Sequence, residues 1–355
     1  MVQAYDYKIT KGTDMGIKPA KLNIGDTVAT VSLSWGGAGL LPSRYAQAKR
    51  QLEQTFGVKV IEAPHALDDA KYLYEHPEVR ASDMMWAFQN PDVKAIISNI
   101  GGDDTIRMLP YIDWDIIRNN PKIFMGYSDT TVNCHMCHYA GLNSFYGPAM
   151  LVQMAEAGGI LPYVEQSMRK VLFDNSTIGI VPENKDGFTY ERVDWFTPAG
   201  QTQVRKMQPT DGWHWIQGSG VVTGELFGGC MEVIEMIKGT QIWNPDNFKD
   251  KIVFFEISEE NPTPDQVLYW LRNYGACGIL QQMRAIIFGR PKNENNPKYE
   301  KRILQGLAEF GLTDMPVVTH FDIGHTDPIM AMPMGCMAKL DCDKHTFEIT
   351  ENAVV

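Results

Sequence analysis

No stretch of this 355-residue chain stays apolar for the roughly 18–20 residues that a membrane-spanning helix needs. The first residues, Met1 to Lys8, lack the basic and then apolar layout of an export signal. A cytoplasmic protein is therefore the default expectation. Basic charge is in deficit: 32 Lys and Arg against 43 Asp and Glu leave a net charge of −11. That argues against a nucleic-acid or membrane partner, because both require a broad basic face. Cysteine is sparse. Six in a chain of this length do not make a disulfide framework and read as free thiols. Internal repeats and low-complexity tracts are missing, so neither a solenoid nor a long disordered tail is indicated.

What is present fits a globular protein, with 44% apolar and 21% charged residues. The length is enough for two domains with sizeable cores. Cys134-His135-Met136-Cys137-His138 formally matches the haem-attachment pattern C-x-x-C-H. It follows a strand and a turn, where a buried helix is expected, and small thiols suit such a helix. No second Cys or His pair at ligand spacing completes a zinc site in the sequence, so no metal and no cofactor are assigned.

The first half alternates short apolar runs with helical stretches. Thr27 to Ser34, Val58 to Ile61, Val93 to Ser98 and the run ending at Gly126 read as strands. A helix capped by Ser43 and stopped by Gly57 follows the first strand, and another spans about Ser82 to Gln89. This alternation predicts a parallel sheet covered on both faces. Between about Asp174 and Gly218 the periodicity fails, and Trp195, Trp213 and Trp215 stand among polar residues. Such a long irregular connection reads as a functional crossover. A second α/β region follows. Its strands are Val221 to Leu226, Lys251 to Glu256, Arg284 to Gly289 and Pro316 to Thr319, with Gly228-Gly229-Cys230 opening a helix and Thr346 to Ile349 forming an edge strand. The fold class is α/β: an N-terminal flavodoxin- or Rossmann-like domain over 1–175, the crossover over 176–218 and a smaller C-terminal α/β domain over 219–355. The active site is expected at the interface of the two domains.

Chemistry is concentrated at the predicted strand ends, where open parallel sheets place their sites. Gly126-Tyr127-Ser128-Asp129-Thr130 has the layout of a nucleophile elbow, although Thr130 stands where the usual pattern has glycine. The competing reading makes Ser128 or Asp129 a helix cap. A serine nucleophile needs a base and an orienting carboxylate. Glu256 ends a strand, and His325 lies in the loop Gly324-His325-Thr326-Asp327-Pro328. With eight histidines the bases can be weighed singly, and His320 at a strand end is the chief rival to His325. Glycine amides of Ile100-Gly101-Gly102-Asp103 and the amide of Asp129 could form an oxyanion hole. A different class of function rests on Gly37-x-Gly39 with Glu62 at the next strand end. That resembles a dinucleotide site, so a non-catalytic nucleotide-binding module is the alternative, although Pro42 replaces the third glycine.

Five segments taken together resemble the LD-carboxypeptidase family of serine peptidases, and most closely its branch of MccF-like microcin immunity proteins. They are Ile100 to Pro110, Gly126 to Asp129, Gly224 to Cys230, Phe255 to Glu260 and Gly324 to Pro328. The resemblance implies a triad of Ser128 as nucleophile, Glu256 as orienting carboxylate and His325 as base. It implies an oxyanion hole at Gly102 and Asp129 and substrate contacts at Trp195, Gly101 and Asp103. It also implies a homodimer, no metal, and hydrolysis of a small peptide or aminoacyl-nucleotide. In one branch the bond joins an aminoacyl group to a nucleotide moiety; in the other it releases D-alanine from murein tetrapeptide. Ser258-Glu259-Glu260 and the Trp-bearing crossover favour the first, with Trp195 as a base-stacking residue.

Overall fold

The four apolar runs of the first half become the parallel strands β1 (Thr27–Val31), β2 (Lys59–Glu62), β3 (Val93–Ser98) and β4 (Ile123–Gly126), and a fifth parallel strand that the sequence pattern did not mark, β5 (Ser144–Tyr146), joins them. The computed structural model describes residues 16–292 and 296–355, so the N-terminal residues read above as lacking an export signal lie outside the described part. The five strands lie in the order β5-β4-β3-β1-β2, the doubly wound order of flavodoxin-like sheets. β4 is buried along its whole length and β3 at all but one position, which is why both read as continuous apolar runs rather than alternating ones.

The helix after β1 spans Pro42–Phe56 and ends at Gly57, whose φ of 70° places it in the left-handed region. Its start differs from expectation. Pro42 is the first helical residue and Leu41 the cap, so Ser43 lies inside the first turn. Proline suits that place because its missing N–H would have had no helical partner. Pro77 likewise opens a helix that runs to Gln89, one turn longer than Ser82 suggested.

The second half adds β6 (Gly179–Ile180), β7 (His214–Gln217), β8 (Val221–Cys230), β9 (Lys251–Glu256), β10 (Ala285–Gly289), β11 (Val317–Phe321), β12 (Met332–Met334), β13 (Met337–Asp341) and β14 (Thr346–Ile349). Eight of these make a second sheet, ordered β6-β14-β13-β8-β9-β10-β11-β7, with a parallel centre from β8 to β11. Two corrections follow. Gly228-Gly229-Cys230 extend β8, and the helix begins only at Met231. The glycines are there for closeness: a Cβ on Gly228 would lie 1.8 Å from the Phe254 carbonyl oxygen, and one on Gly229 would lie 2.5 Å from Thr131 Cγ2. The last strand is not an edge, because β6 pairs with β14 on its outer side.

The sheets are tied by exchange. β12 leaves the second half and pairs antiparallel with β5 of the first sheet. The irregular crossover is a folded strap. Phe188 bridges Gln208, Thr189 bridges Asp327, and Pro198–Thr202 forms a short helix. Buried Asp322 holds both ends of the strap, its Oδ2 accepting from the Asn184 amide at 3.2 Å and from Trp213 Nε1 at 2.8 Å. No helix among the described residues is long and apolar enough to cross a membrane.

Candidate functional site

The C-terminal ends of β1, β3 and β4 face those of β9 and β11 across one cavity of about 630 Å³. Trp35, Gly101, Gly102, Asp103, Ser128, Trp195, Glu259 and His325 are among its walls.

Ser128 follows β4 with φ 64°, a left-handed value that a non-glycine residue adopts at a cost. It starts a 3-10 turn, Ser128–Thr130, that leads into the helix Thr131–Tyr139. Its side chain caps neither element, so the capping reading fails for Ser128. The Ser128 amide donates to Tyr146 Oη at 3.0 Å, and that hydroxyl donates to Glu256 Oε1 at 2.5 Å. The other oxygen of Glu256 lies 2.7 Å from His325 Nδ1. Serine amide, tyrosine, glutamate and histidine thus form one chain of hydrogen bonds joining the two sheets.

Glycine permits this contact. Gly324 sits at φ 91°, and a Cβ there would come 2.4 Å from Glu256 Oε2. Gly101 has the same relation to Ser128: its Cβ would lie 3.0 Å from Oγ and 3.1 Å from the Asp129 nitrogen. Glycine at 101 therefore keeps open the space over the hydroxyl and the neighbouring amide.

The Asp129 carboxylate points away from the cavity. It accepts from Ser34 Oγ at 2.7 Å, from the Thr105 amide at 2.9 Å and from Thr105 Oγ1 at 2.6 Å, binding the loops after β1 and β3 to the turn that carries Ser128. Next to it, Arg80 and Asp104 form a buried two-pronged ion pair at 2.7 and 2.9 Å.

Only 5% of the His325 side chain is exposed, and both ring nitrogens meet carboxylates. Nε2 lies 2.9 Å from Glu259 Oε2, and Glu259 in turn pairs with Arg192 at 2.9 Å. Burial alone would lower the proton affinity of the ring, but Glu256 and Glu259 outweigh it and raise the pKa to about 10. The same pairing outweighs burial at Glu259 and holds its carboxyl well below the usual range.

This chain matches the LD-carboxypeptidase N-terminal domain over residues 28–147 and the C-terminal domain over residues 223–340. It belongs to the LD-carboxypeptidase family. It is 27% identical to the microcin C7 self-immunity protein MccF of Escherichia coli, over 94% of this chain and 95% of that one. It is 26% identical to a probable murein peptide carboxypeptidase of Bacillus subtilis, over 94% of both. A solved structure of MccF in complex with aspartyl sulfamoyl adenosine superposes with a TM-score of 0.83 at 26% identity, covering 96% of this chain and all of that one. Serine peptidase activity is the family's chemistry, and the two-sheet α/β fold is shared with MccF.

Trp195 and Asp103 line the cavity, and the Arg44 guanidinium lies 4.1 Å over the Trp195 ring, packing one face of it. His320 is not in the cavity; it sits beside Asp211 and His214. The Gly37–Gly39 loop is a short helical turn whose glycines fit against Trp35 and the Leu67–Asp68 backbone, and Glu62 is paired with Lys49. Both features of the dinucleotide reading are thereby used in packing. Cys134, His135 and Cys137 are buried in a helix, with His135 Nε2 3.1 Å from the Gly228 carbonyl and burial pushing the Cys134 thiol up to about 12.

Sequence reasoning missed Tyr146, Arg192 and Arg205. Arg205 spans the strap and the His325 loop, reaching Glu156 at 2.5 Å and Asp327 at 2.8 Å. Tyr146 ends β5, a three-residue strand absent from the sequence reading, and nothing in its spacing marks it as a link between Ser128 and Glu256.

Proposed function

We propose that this chain is a serine hydrolase using Ser128, Glu256 and His325, and that it cleaves the amide-type bond between an aminoacyl group and a nucleotide moiety. The observation that carries the reading is the 2.7 Å contact between His325 and Glu256 in the wall of a cavity that also exposes a backbone-strained serine. A buried carboxylate on Nδ1 fixes the ring, so that Nε2, which Glu259 holds in this structure, is the nitrogen that acts as base once that contact opens. Ser128 Oγ attacks the acyl carbon and gives its proton to His325 Nε2. The carbonyl oxygen becomes an oxyanion, for which the Gly102 and Asp129 amides are the assigned donors. The imidazolium then protonates the leaving nitrogen, and water repeats the sequence in reverse on the acyl-enzyme.

The nucleotide part of the reading is supported by the likeness to MccF, one structure of which holds aspartyl sulfamoyl adenosine. It is further supported by a tryptophan on the cavity wall whose other face rests on Arg44. Trp195 is the stacking surface, with Gly101 and Asp103 as further contacts. The likeness to a murein peptide carboxypeptidase favours the second reading, release of D-alanine from a tetrapeptide.

Ser128→Ala is expected to abolish turnover with circular dichroism unchanged; full activity would sink the triad. Incubation with an aminoacyl-sulfamoyl adenosine and, in parallel, with murein tetrapeptide separates the substrates, and mass spectrometry is expected to detect cleavage of the nucleotide compound. The family resemblance adds a homodimer, which light scattering checks, and the cytoplasmic location expected from the sequence is checked by cell fractionation.

A further inference from the structure

His325 Nε2 is the ring nitrogen that the proposed chemistry needs, and Glu259 occupies it. The carboxylate lies there as a bridge: Oε2 is 2.9 Å from Nε2, and Oε1 is 2.9 Å from the Arg192 guanidinium on the strap. Glu256 holds the opposite ring nitrogen at 2.7 Å. Two further titratable groups lie close by, and neither competes for Nε2. The Tyr127 ring stands edge-on at 5.0 Å, and burial keeps its phenol protonated. Asp327, in the same loop as His325, accepts from Arg205 and from Gln153 Nε2, both at 2.8 Å.

While the ring is protonated, Glu256 and Glu259 are balanced by His325 and Arg192. Attack by Ser128 needs the ring neutral. Loss of the imidazolium proton with nothing in exchange would leave one carboxylate unbalanced beside a largely enclosed ring, which is unfavourable. The cavity holds no substitute cation among its described walls. Both of its guanidiniums, Arg192 and Arg205, are already paired with carboxylates. The compensating charge has to come with the ligand.

The reaction fixes where that charge sits. Nε2 has to reach within about 2.6–3.2 Å of the Ser128 hydroxyl, and the hydroxyl within about 3–3.5 Å of the acyl carbon. In an aminoacyl group the α-nitrogen is only about 2.5 Å from that carbon, two standard bonds away. Glu259 has 32% of its side chain exposed and so has room to turn toward it. Near pH 7 that nitrogen is an ammonium, since α-amino groups titrate at about 7.7–8.0. Inside a peptide the corresponding nitrogen is a neutral amide with no charge to exchange.

We propose that Glu259 selects a free α-ammonium on the acyl side of the scissile bond, and that its transfer from His325 to this ammonium frees the base. The inference rests on the hydrolase reading above and narrows its substrate class to aminoacyl compounds with an unmodified amine. The exchange balances. The ammonium brings one positive charge, the imidazolium releases one proton to water, and Glu259 keeps an ionic partner throughout. Arg192 on Oε1 makes the movement a pivot within the cavity. When the α-nitrogen is acylated, the contact stays closed and the ring stays protonated.

The test uses the full chain carrying Ser128→Ala, so that the ligand is not consumed, with alanyl-sulfamoyl adenosine and its N-acetyl derivative as probes. Calorimetry near pH 7 in buffers of different ionisation enthalpy counts the protons released on binding. The free amine is expected to release about one proton. The N-acetyl compound is expected to release none and to bind at least about tenfold more weakly. Adding Glu259→Gln is expected to remove both the proton release and the preference. In the parent enzyme N-acetylation is expected to lower kcat/KM at least about tenfold, and in Glu259→Gln by several-fold less. A purely structural role would leave that penalty unchanged. Binding of the free amine without proton release overturns the proposal, as does failure of both probes to bind. Equal cleavage of both probes overturns it while leaving the Ser128 triad standing. Cleavage that survives Ser128→Ala removes the triad and this inference together.

Discussion

In the proposed mechanism His325 Nε2 must be free to take a proton, and Glu259 holds that nitrogen. With carboxylates on both sides the ring keeps its proton, and in that state it cannot accept one from Ser128. Arg192 offers Glu259 another partner, so a substrate that draws Glu259 toward Arg192 would release the base. The sign of the pH dependence follows. The His325 pKa is raised to about 10, and activity requires the unprotonated ring, so kcat/KM should climb on the alkaline side of neutrality. Glu259→Gln removes one of the two stabilising charges and lowers the proton affinity. Its rising limb is expected roughly 1 pH unit or more below that of the parent. Superimposable pH–rate profiles would show that Glu259 has no hold on the base. The signal for this residue was in the sequence, three positions after a carboxylate that ends a strand. Its partner Arg192 had no such signal, because it arrives from a strap with no periodicity.

At the scale of elements, β8 and β9 show why some assignments were legible and others were not. β9 reads directly as a strand: Lys251–Glu256 is a short apolar run that ends in a charged residue at the crevice. Gly228-Gly229-Cys230 reads as a helix start from local pattern, yet it is strand, because the reason for the glycines lies in another segment. The Phe254 backbone approaches Gly228 too closely for any side chain. Gly228→Ala is therefore expected to cost about 2–3 kcal/mol in urea unfolding, since the obstructing atom is backbone and cannot rotate away. It should also depress kcat, because Glu256 sits two residues beyond Phe254 on the displaced strand. A similar blindness applies to helix starts. Ser43 has the chemistry of a cap, but Pro42 just before it takes the first helical position. The cluster around His320 was illegible for a further reason. Asp211 and His214 are three apart, whereas His320 lies far along the chain, and the pairing of β7 with β11 brings them together.

For the molecule as a whole, the exchange of β12 couples the two sheets. Met332–Met334 completes the first sheet although it follows the His325 loop in sequence. The hydrogen-bond chain from Ser128 through Tyr146 and Glu256 to His325 crosses the same junction. Neither half can leave without breaking both. Scanning calorimetry is expected to show one transition with equal calorimetric and van't Hoff enthalpies, and two resolved peaks would contradict this coupling. The parallel order of the first sheet was readable from alternating strands and helices. The returning strand was not, because three residues of Met-Pro-Met carry no strand pattern by themselves.

Asp322 gives the molecule a further property. One carboxylate, three residues before His325, grips the strap at Asn184 and again at Trp213. The ends of the insert are thus fixed to a common point whatever lies between them. Because the entropy of closing a loop grows only slowly with its length, the exposed stretch around Phe196 can be exchanged, shortened or extended at small thermodynamic cost, whereas Thr189 and Arg205, which reach Asp327, must keep their places. The strap is thereby divided into fixed points and a replaceable tip.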